Sequence, residues 1–99
     1  MRIERISSRK SPVVRDAASL LQKAEKRSEA GLFMAEGARL CEDAAKSGIE
    51  IAVCFFTENA QKKYAAYLGP VLKCAEKAYC VEDHIAPLLS DTKNPQGIF

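Results

Sequence analysis

The 99-residue sequence predicts a small α/β domain, a three-layer sandwich with helices on both faces of a mixed sheet. Three observations carry that prediction. Helix-periodic segments alternate with short apolar runs. One run, Ile49 to Phe56, is apolar at seven of eight positions, as in a central strand covered on both faces. Capping and turn residues punctuate the joints.

In chain order, Ser11-Pro12 opens the first helix, with Pro in a position where its missing N–H costs little. Val13, Val14, Ala17, Leu20, Leu21 and Ala24 recur at helical spacing, so the helix is expected to reach Arg27 or Ser28 with a basic outer face. Gly31 breaks it, and Leu32 to Ala35 reads as a short buried strand. A second helix runs from Ala38 to about Lys46 and ends at Ser47-Gly48. The Ile49–Phe56 strand follows. Thr57 caps a third helix through about Tyr67, closed by Gly69-Pro70. Val71 to Ala75 is open between a helical turn and loop, and Ala78 to Val81 is a further short strand. Glu82 or Asp83 caps a fourth helix carrying Ile85, Leu88 and Leu89, with Pro87 in its first turn. Ser90 to Gly97 has turn chemistry, and Ile98-Phe99 looks like the opening of a strand.

Composition narrows the class. With 47% apolar and 28% charged residues, the chain suits one globular domain and is too apolar for a disordered tail. No run of about 18 apolar residues exists to span a membrane. The basic N-terminus has no apolar stretch behind it, so no secretory signal is read there. The expectation is a soluble cytoplasmic protein without a membrane partner.

Cys41, Cys54, Cys74 and Cys80 form no CxxC pair, and His84 is the single histidine, so zinc-ligand spacing is absent and no metal site is assigned. Cys80 and His84 lie four apart, but no third orienting group or oxyanion donor stands near them in sequence. The thiols read as core or surface residues, and no catalytic residue is assigned.

Charge is uneven. Residues 1–27 carry eight basic against three acidic groups, and residues 28–99 carry seven against ten. A positive end on a nearly neutral domain points to a polyanion, most often nucleic acid; the plain alternative is a solvated basic helix face.

The segments Ser8-Arg9-Lys10-Ser11-Pro12, Lys26-Arg27, Gly31 to Leu40 (GLFMAEGARL) and Asp91 to Ile98 (DTKNPQGI) resemble the N-terminal substrate-binding domain of SpoU (TrmH) family RNA methyltransferases. The resemblance covers essentially the whole chain. It implies a fold similar to kink-turn-binding ribosomal proteins. It also implies that residues 1–92 bind substrate RNA, ribosomal or transfer, while 93–99 are a linker and the start of a SPOUT methyltransferase domain. The parent enzyme would then use S-adenosylmethionine to methylate a ribose 2′-hydroxyl and be a homodimer through its knotted domain. The 99 residues themselves would hold RNA, bind no cofactor, lack catalytic motifs and be monomeric.

Arg9, Lys10, Lys23, Arg27 and Arg39 are the candidate phosphate contacts, Arg27 and Arg39 foremost because a planar guanidinium suits bidentate phosphate binding. The alternatives are ion pairs: Arg27 with Glu29, and Arg39 with Glu36, Glu42 or Asp43. Glu36 reads as structural, organising the second helix's start or holding a basic residue, and Gly37 as permitting a tight turn. Phe33, Phe55, Phe56 and Tyr79 are expected in the core. Tyr67 is a better base-stacking candidate than Tyr64. Two other functions stay open: a stand-alone kink-turn-type RNA binder, disfavoured because Arg39-Leu40 stands where that family has Asn-Glu, and a protein-interaction module marked by an exposed apolar patch.

Overall fold

The computed structural model describes residues 3–92 and 95–99. Its elements are β1 (Ile3–Ile6), α1 (Pro12–Gln22), α2 (Ala24–Ala30), α3 (Ala38–Lys46), β2 (Ile51–Phe56), α4 (Glu58–Lys63), α5 (Ala65–Cys74), β3 (Ala75–Val81) and a 3-10 helix (Ala86–Leu89). The sheet runs β1-β3-β2 with both pairings parallel. Antiparallel sense enters through the bridge between Phe56 and Ile98, on the side of β2 away from β3.

Two buried clusters flank the sheet and make the three layers. Ala38, Cys41 and Ala45 of α3 with Leu68 and Val71 of α5 pack on Cys54, Phe56 and Ala78. On the other face, Val14 of α1 meets Phe55, Tyr79, Val81, Ile85 and Leu89. Strand side chains alternate between faces, so neighbours Phe55 and Phe56 feed opposite clusters. The expected sandwich is present. No helix among the described residues is long and apolar enough to cross a membrane.

Five local expectations differ. β1 is not expected from the sequence; its Ile-Glu-Arg-Ile is short, puts its two apolar residues three apart rather than in strand alternation, and sits in a basic stretch. The single helix from Pro12 breaks at Lys23, whose φ of −131° and ψ of 115° are extended and both end α1 and start α2. Leu32 to Ala35 is loop, not strand, and Phe33 is 65% exposed rather than in the core. Helix α4 stops at Tyr64, while α5 passes through Gly69-Pro70 to Cys74. Pro70 is the sixth residue of α5, so one intrahelical bond is forfeited while packing by Leu68 and Val71 keeps the helix. Lastly, the fourth helix is one 3-10 segment started by backbone turns from Glu82 and Asp83, without a side-chain cap.

Other expectations hold. Thr57 caps α4, its hydroxyl accepting from the Ala60 amide at 3.1 Å. α3 ends at Ser47, followed by Gly48 at φ 82°. The apolar run is covered on both faces only from Cys54 to Phe56, since Ile49 is 49% exposed and β2 begins at Ile51.

Residues 95–99 lie against this domain. Phe55 and Phe99 exchange both backbone bonds, at 2.8 and 2.9 Å, and the Thr57 amide donates to Gly97 O at 3.0 Å. Ile98 is fully buried. The expected linker and strand opening thus sit on the sheet, except Lys93 and Asn94, which lie outside the described residues along with Met1 and Arg2.

Candidate nucleic-acid interface

Parallel strands place their C-terminal ends at one end of the sheet, so the loops after β1, β2 and β3 share it. The start of α3 joins them, because the Gly37 amide donates at 2.9 Å to O of Ile98, whose bridge partner Phe56 closes β2. This end therefore carries Arg9 and Lys10, in the turn after β1, and Arg39, in the first turn of α3. Lys23 and Arg27 lie past the far end of α1 and are not brought together with the other three.

Arg39 is exposed, and two of its three expected partners, Glu36 and Glu42, are engaged elsewhere. Both oxygens of the Glu36 carboxylate accept bonds from the 90–92 turn: Ser90 Oγ at 2.6 Å, the Asp91 amide at 3.1 Å and Thr92 Oγ1 at 3.2 Å. Glu42 faces Lys46 at 3.5 Å. Arg39 makes no ion pair among the described residues. A cation in the first turn of a helix also opposes the helix dipole, so its position does not serve the helix.

Glu36 is structural as expected, but it organises the turn 90–92 rather than a basic residue. The neighbouring Gly37, at φ 101°, leaves Ala38 N–H directed at Gln96 Oε1 at 2.7 Å, capping α3 from the C-terminal segment. These contacts join residues more than fifty positions apart, and no local periodicity announces them.

Arg27 is half-buried, and its Nη1 donates to Leu20 O at 2.6 Å, fastening α2 beneath the end of α1. Glu29 faces Lys26 instead, at 3.9 Å. Arg9, Lys10 and Lys23 are exposed. At the same sheet end Arg5 meets Glu58 at 2.7 Å and Glu82 at 3.3 Å; its hydrogen bond and charge hold the Glu58 carboxyl below its ordinary value. That cation is occupied within the fold. Tyr67 is 39% exposed and meets Tyr64 edge-on, with ring centres 6.4 Å apart; Lys63 Nζ stands 5.5 Å from the Tyr64 ring centre.

The thiols carry no chemistry of this site. Burial pushes Cys54 up to about 12 and Cys41 up to about 11 from an ordinary 9.0, and burial also raises Cys80. Cys74 alone is exposed. Iodoacetamide at pH 8 is therefore expected to modify Cys74 first, with Cys41 and Cys54 reacting only on unfolding; equal rates at Cys54 and Cys74 would contradict the burial. The stability consequence has a definite sign. The buried thiols keep protons that the unfolded chain releases above about pH 9, so stability is retained below that pH and falls as pH rises towards 11 and 12. Among the described residues, no three His, Cys, Asp or Glu side chains gather to hold a metal ion.

Fold and site together define a small α/β module with exposed cations at one end of a parallel sheet. Residues 4–99 match the model of the MRM3-like substrate binding domain. The chain belongs to that family. Among solved structures it is similar to an rRNA methyltransferase from Sinorhizobium meliloti, at 21% identity and a TM-score of 0.79, over 99% of this chain and 36% of that one. An RNA 2′-O ribose methyltransferase is similar at 26% identity and a TM-score of 0.76, over 95% and 35% of the two chains. The AdoMet-bound form of the Sinorhizobium meliloti enzyme matches at 23% identity and a TM-score of 0.77, over 97% of this chain and 34% of that one. The chain thus spans about a third of the length of these structures. No curated protein matches it.

Proposed function

We propose that these residues hold RNA for a longer S-adenosylmethionine-dependent methyltransferase that modifies a ribose 2′-hydroxyl, with ribosomal RNA the first candidate substrate. The family match over residues 4–99 carries this reading, and Arg39 at the loop end of the sheet, with no ion pair among the described residues, supports it. A separate RNA-holding domain raises the effective concentration of the target nucleotide at the catalytic part. Arg39 is the leading phosphate contact, with Arg9 and Lys10 at the same sheet end; Lys23 extends the footprint to the other end. Arg27 is demoted by its bond to Leu20 O.

The cofactor belongs to the part of the enzyme beyond these residues. Gly31, Gly37, Gly48 and Gly97 have positive φ, but each stands singly at a turn. Space beside Gly37 is taken by Gln96 and space beside Gly97 by Thr57, whereas Gly31 and Gly48 stand open at separate turns. The stand-alone kink-turn reading is not favoured, because the family match is to a substrate-binding domain.

Replacing Arg39 with Ala is expected to weaken RNA binding and to reduce the slope of log affinity against log salt by about one. Fluorescence anisotropy across a salt series reads both quantities. Unchanged affinity and slope in the triple variant R9A/K10A/R39A would remove the assignment.

A further inference from the structure

Helices α3 and α5 pack together and run in the same direction. α3 starts beside the end of β2, where the Gly37 amide bonds to Ile98 O, and leads to the start of that strand. α5 likewise leaves the end of β2 and stops at Cys74, directly before β3. Near their C-terminal ends, Cys74 Sγ stands 3.9 Å from Ala45 O. Arg39 is six residues back from Ala45, and Tyr67 is seven back from Cys74. At 1.5 Å per residue these steps are about 9 and 10.5 Å, so the two residues lie at one level.

They also share one surface. Seven residues make almost two full turns, so Tyr67 lies on the α3-facing flank of α5 with Cys74. On α3, Cys41 and Ala44 turn to the edge of β2. Arg39 lies roughly 140–160° around the helix from both, on the flank beside α5. Of the carboxylates in the next turn, Glu42 and Asp43, the first is matched by Lys46 at 3.5 Å.

The Tyr67 ring has no packing role in the fold. Tyr64 packs on the cluster beneath the helices, whereas Tyr67 belongs to neither buried cluster and is exposed. Edge-on contact with Tyr64, at 6.4 Å between ring centres, braces the ring. Ala65, Ala66 and Gly69 nearby are small and exposed, and a Cβ on Gly69 would meet nothing within 4 Å. Lys63, 5.5 Å from the Tyr64 ring centre, adds a second cation. A flat aromatic face is thus left open beside a guanidinium, and a nucleotide offers the matching pair, a flat base and a phosphate.

We propose that Tyr67 stacks an unpaired base of the RNA whose phosphate Arg39 holds, so that the α3–α5 face selects single-stranded over duplex RNA. The proposal rests on the RNA reading above and adds the form of RNA recognised. Bases in a duplex are already stacked on one another, whereas a splayed base can cover its face with an aromatic ring.

Fluorescence anisotropy with a short oligoadenylate and a blunt RNA duplex of the same length tests it. Tyr67→Ala is expected to weaken oligoadenylate binding roughly 5- to 150-fold, the loss of one base–aromatic stack, with an unchanged salt slope because no charge is removed. Tyr67→Phe keeps the face and is expected to bind as the unmodified protein does. Duplex affinity is expected to be equal in all three. On the unmodified protein, irradiation of a bound oligonucleotide carrying 5-iodouridine is expected to attach it at Tyr67. Unchanged oligoadenylate affinity in Tyr67→Ala, or attachment only at other residues, would overturn the proposal. If Arg39→Ala lowers affinity and slope while Tyr67→Ala lowers neither, stacking fails and the RNA reading stands. An unmodified protein that binds neither probe removes the RNA reading, and the stacking site with it.

Discussion

Phe56→Ala is expected to lower stability by about 3–5 kcal/mol, the usual cost of emptying a buried phenylalanine site. Phe56 is 1% exposed, lies opposite Cys80 on β3 and bridges to Ile98 on its other side. Its ring belongs to the cluster that joins α3, α4 and α5 to the sheet, so no single element can move in to fill the space. Against a total of about 5–15 kcal/mol for a domain of this size, the loss is a large fraction. Urea unfolding is expected to show a lower midpoint with an unchanged slope. A cost below about 1 kcal/mol would mean that the helical layer closes over the vacated volume, contrary to dense packing.

Gly97→Ala is expected to cost about 2–5 kcal/mol through two separate effects. Gly97 has φ 87°, a conformation in which a side chain costs roughly 1–2 kcal/mol. A Cβ there would also stand 2.6 Å from Thr57 Oγ1 and 3.3 Å from Ala60 Cβ, and crowding of that kind adds about 1–3 kcal/mol. Thr57 cannot simply turn away, because its hydroxyl caps α4 and its amide bonds to Gly97 O. Gly48→Ala separates the two effects. At φ 82° with no atom within 4 Å of its Cβ position, it carries the backbone cost alone. Equal losses in the two variants, read by thermal unfolding, would show that the contact with Thr57 relaxes freely.

What the sequence made legible follows the range of the interactions involved. The Ile49–Phe56 run, the Thr57 cap and the Ser47-Gly48 stop are set by neighbours within a few residues, and they were read correctly in outline. The breaks at Lys23 and Tyr64 are not, because each depends on how the following helix packs. Arg27 bonding to Leu20 O and α5 lying across α3 decide them, and Pro70 is carried along inside a helix that its neighbours hold. β1 was missed because four residues give too little periodicity to outweigh a basic stretch, while its strand partner lies in the last quarter of the chain.

The site shows the same division. Arg39 was legible as a cation in a recognisable motif, but its lack of an acidic partner depends on Glu36 turning to Ser90 and Thr92, far away in sequence. Arg27 has equal standing by residue type, and its bond to Leu20 O is one that only the folded chain makes. Phe33 was assigned to the core from apolar neighbours on both sides. A loop with one side open to a groove has the same local composition as a buried strand.

The place of β1 has a consequence for the order of events in folding. Among the described residues its one neighbour in the sheet is β3, so that Arg5 pairs with Cys80, 75 residues away. The units α3, β2, α5 and β3 follow one another closely along the chain and pack with one another. Closing the long loop that brings β1 home costs entropy that only a ready-made β3 surface repays. β1 is therefore expected to be the last strand to arrive, with the Arg5, Glu58 and Glu82 ion pairs that fasten it forming after the rest of the sheet.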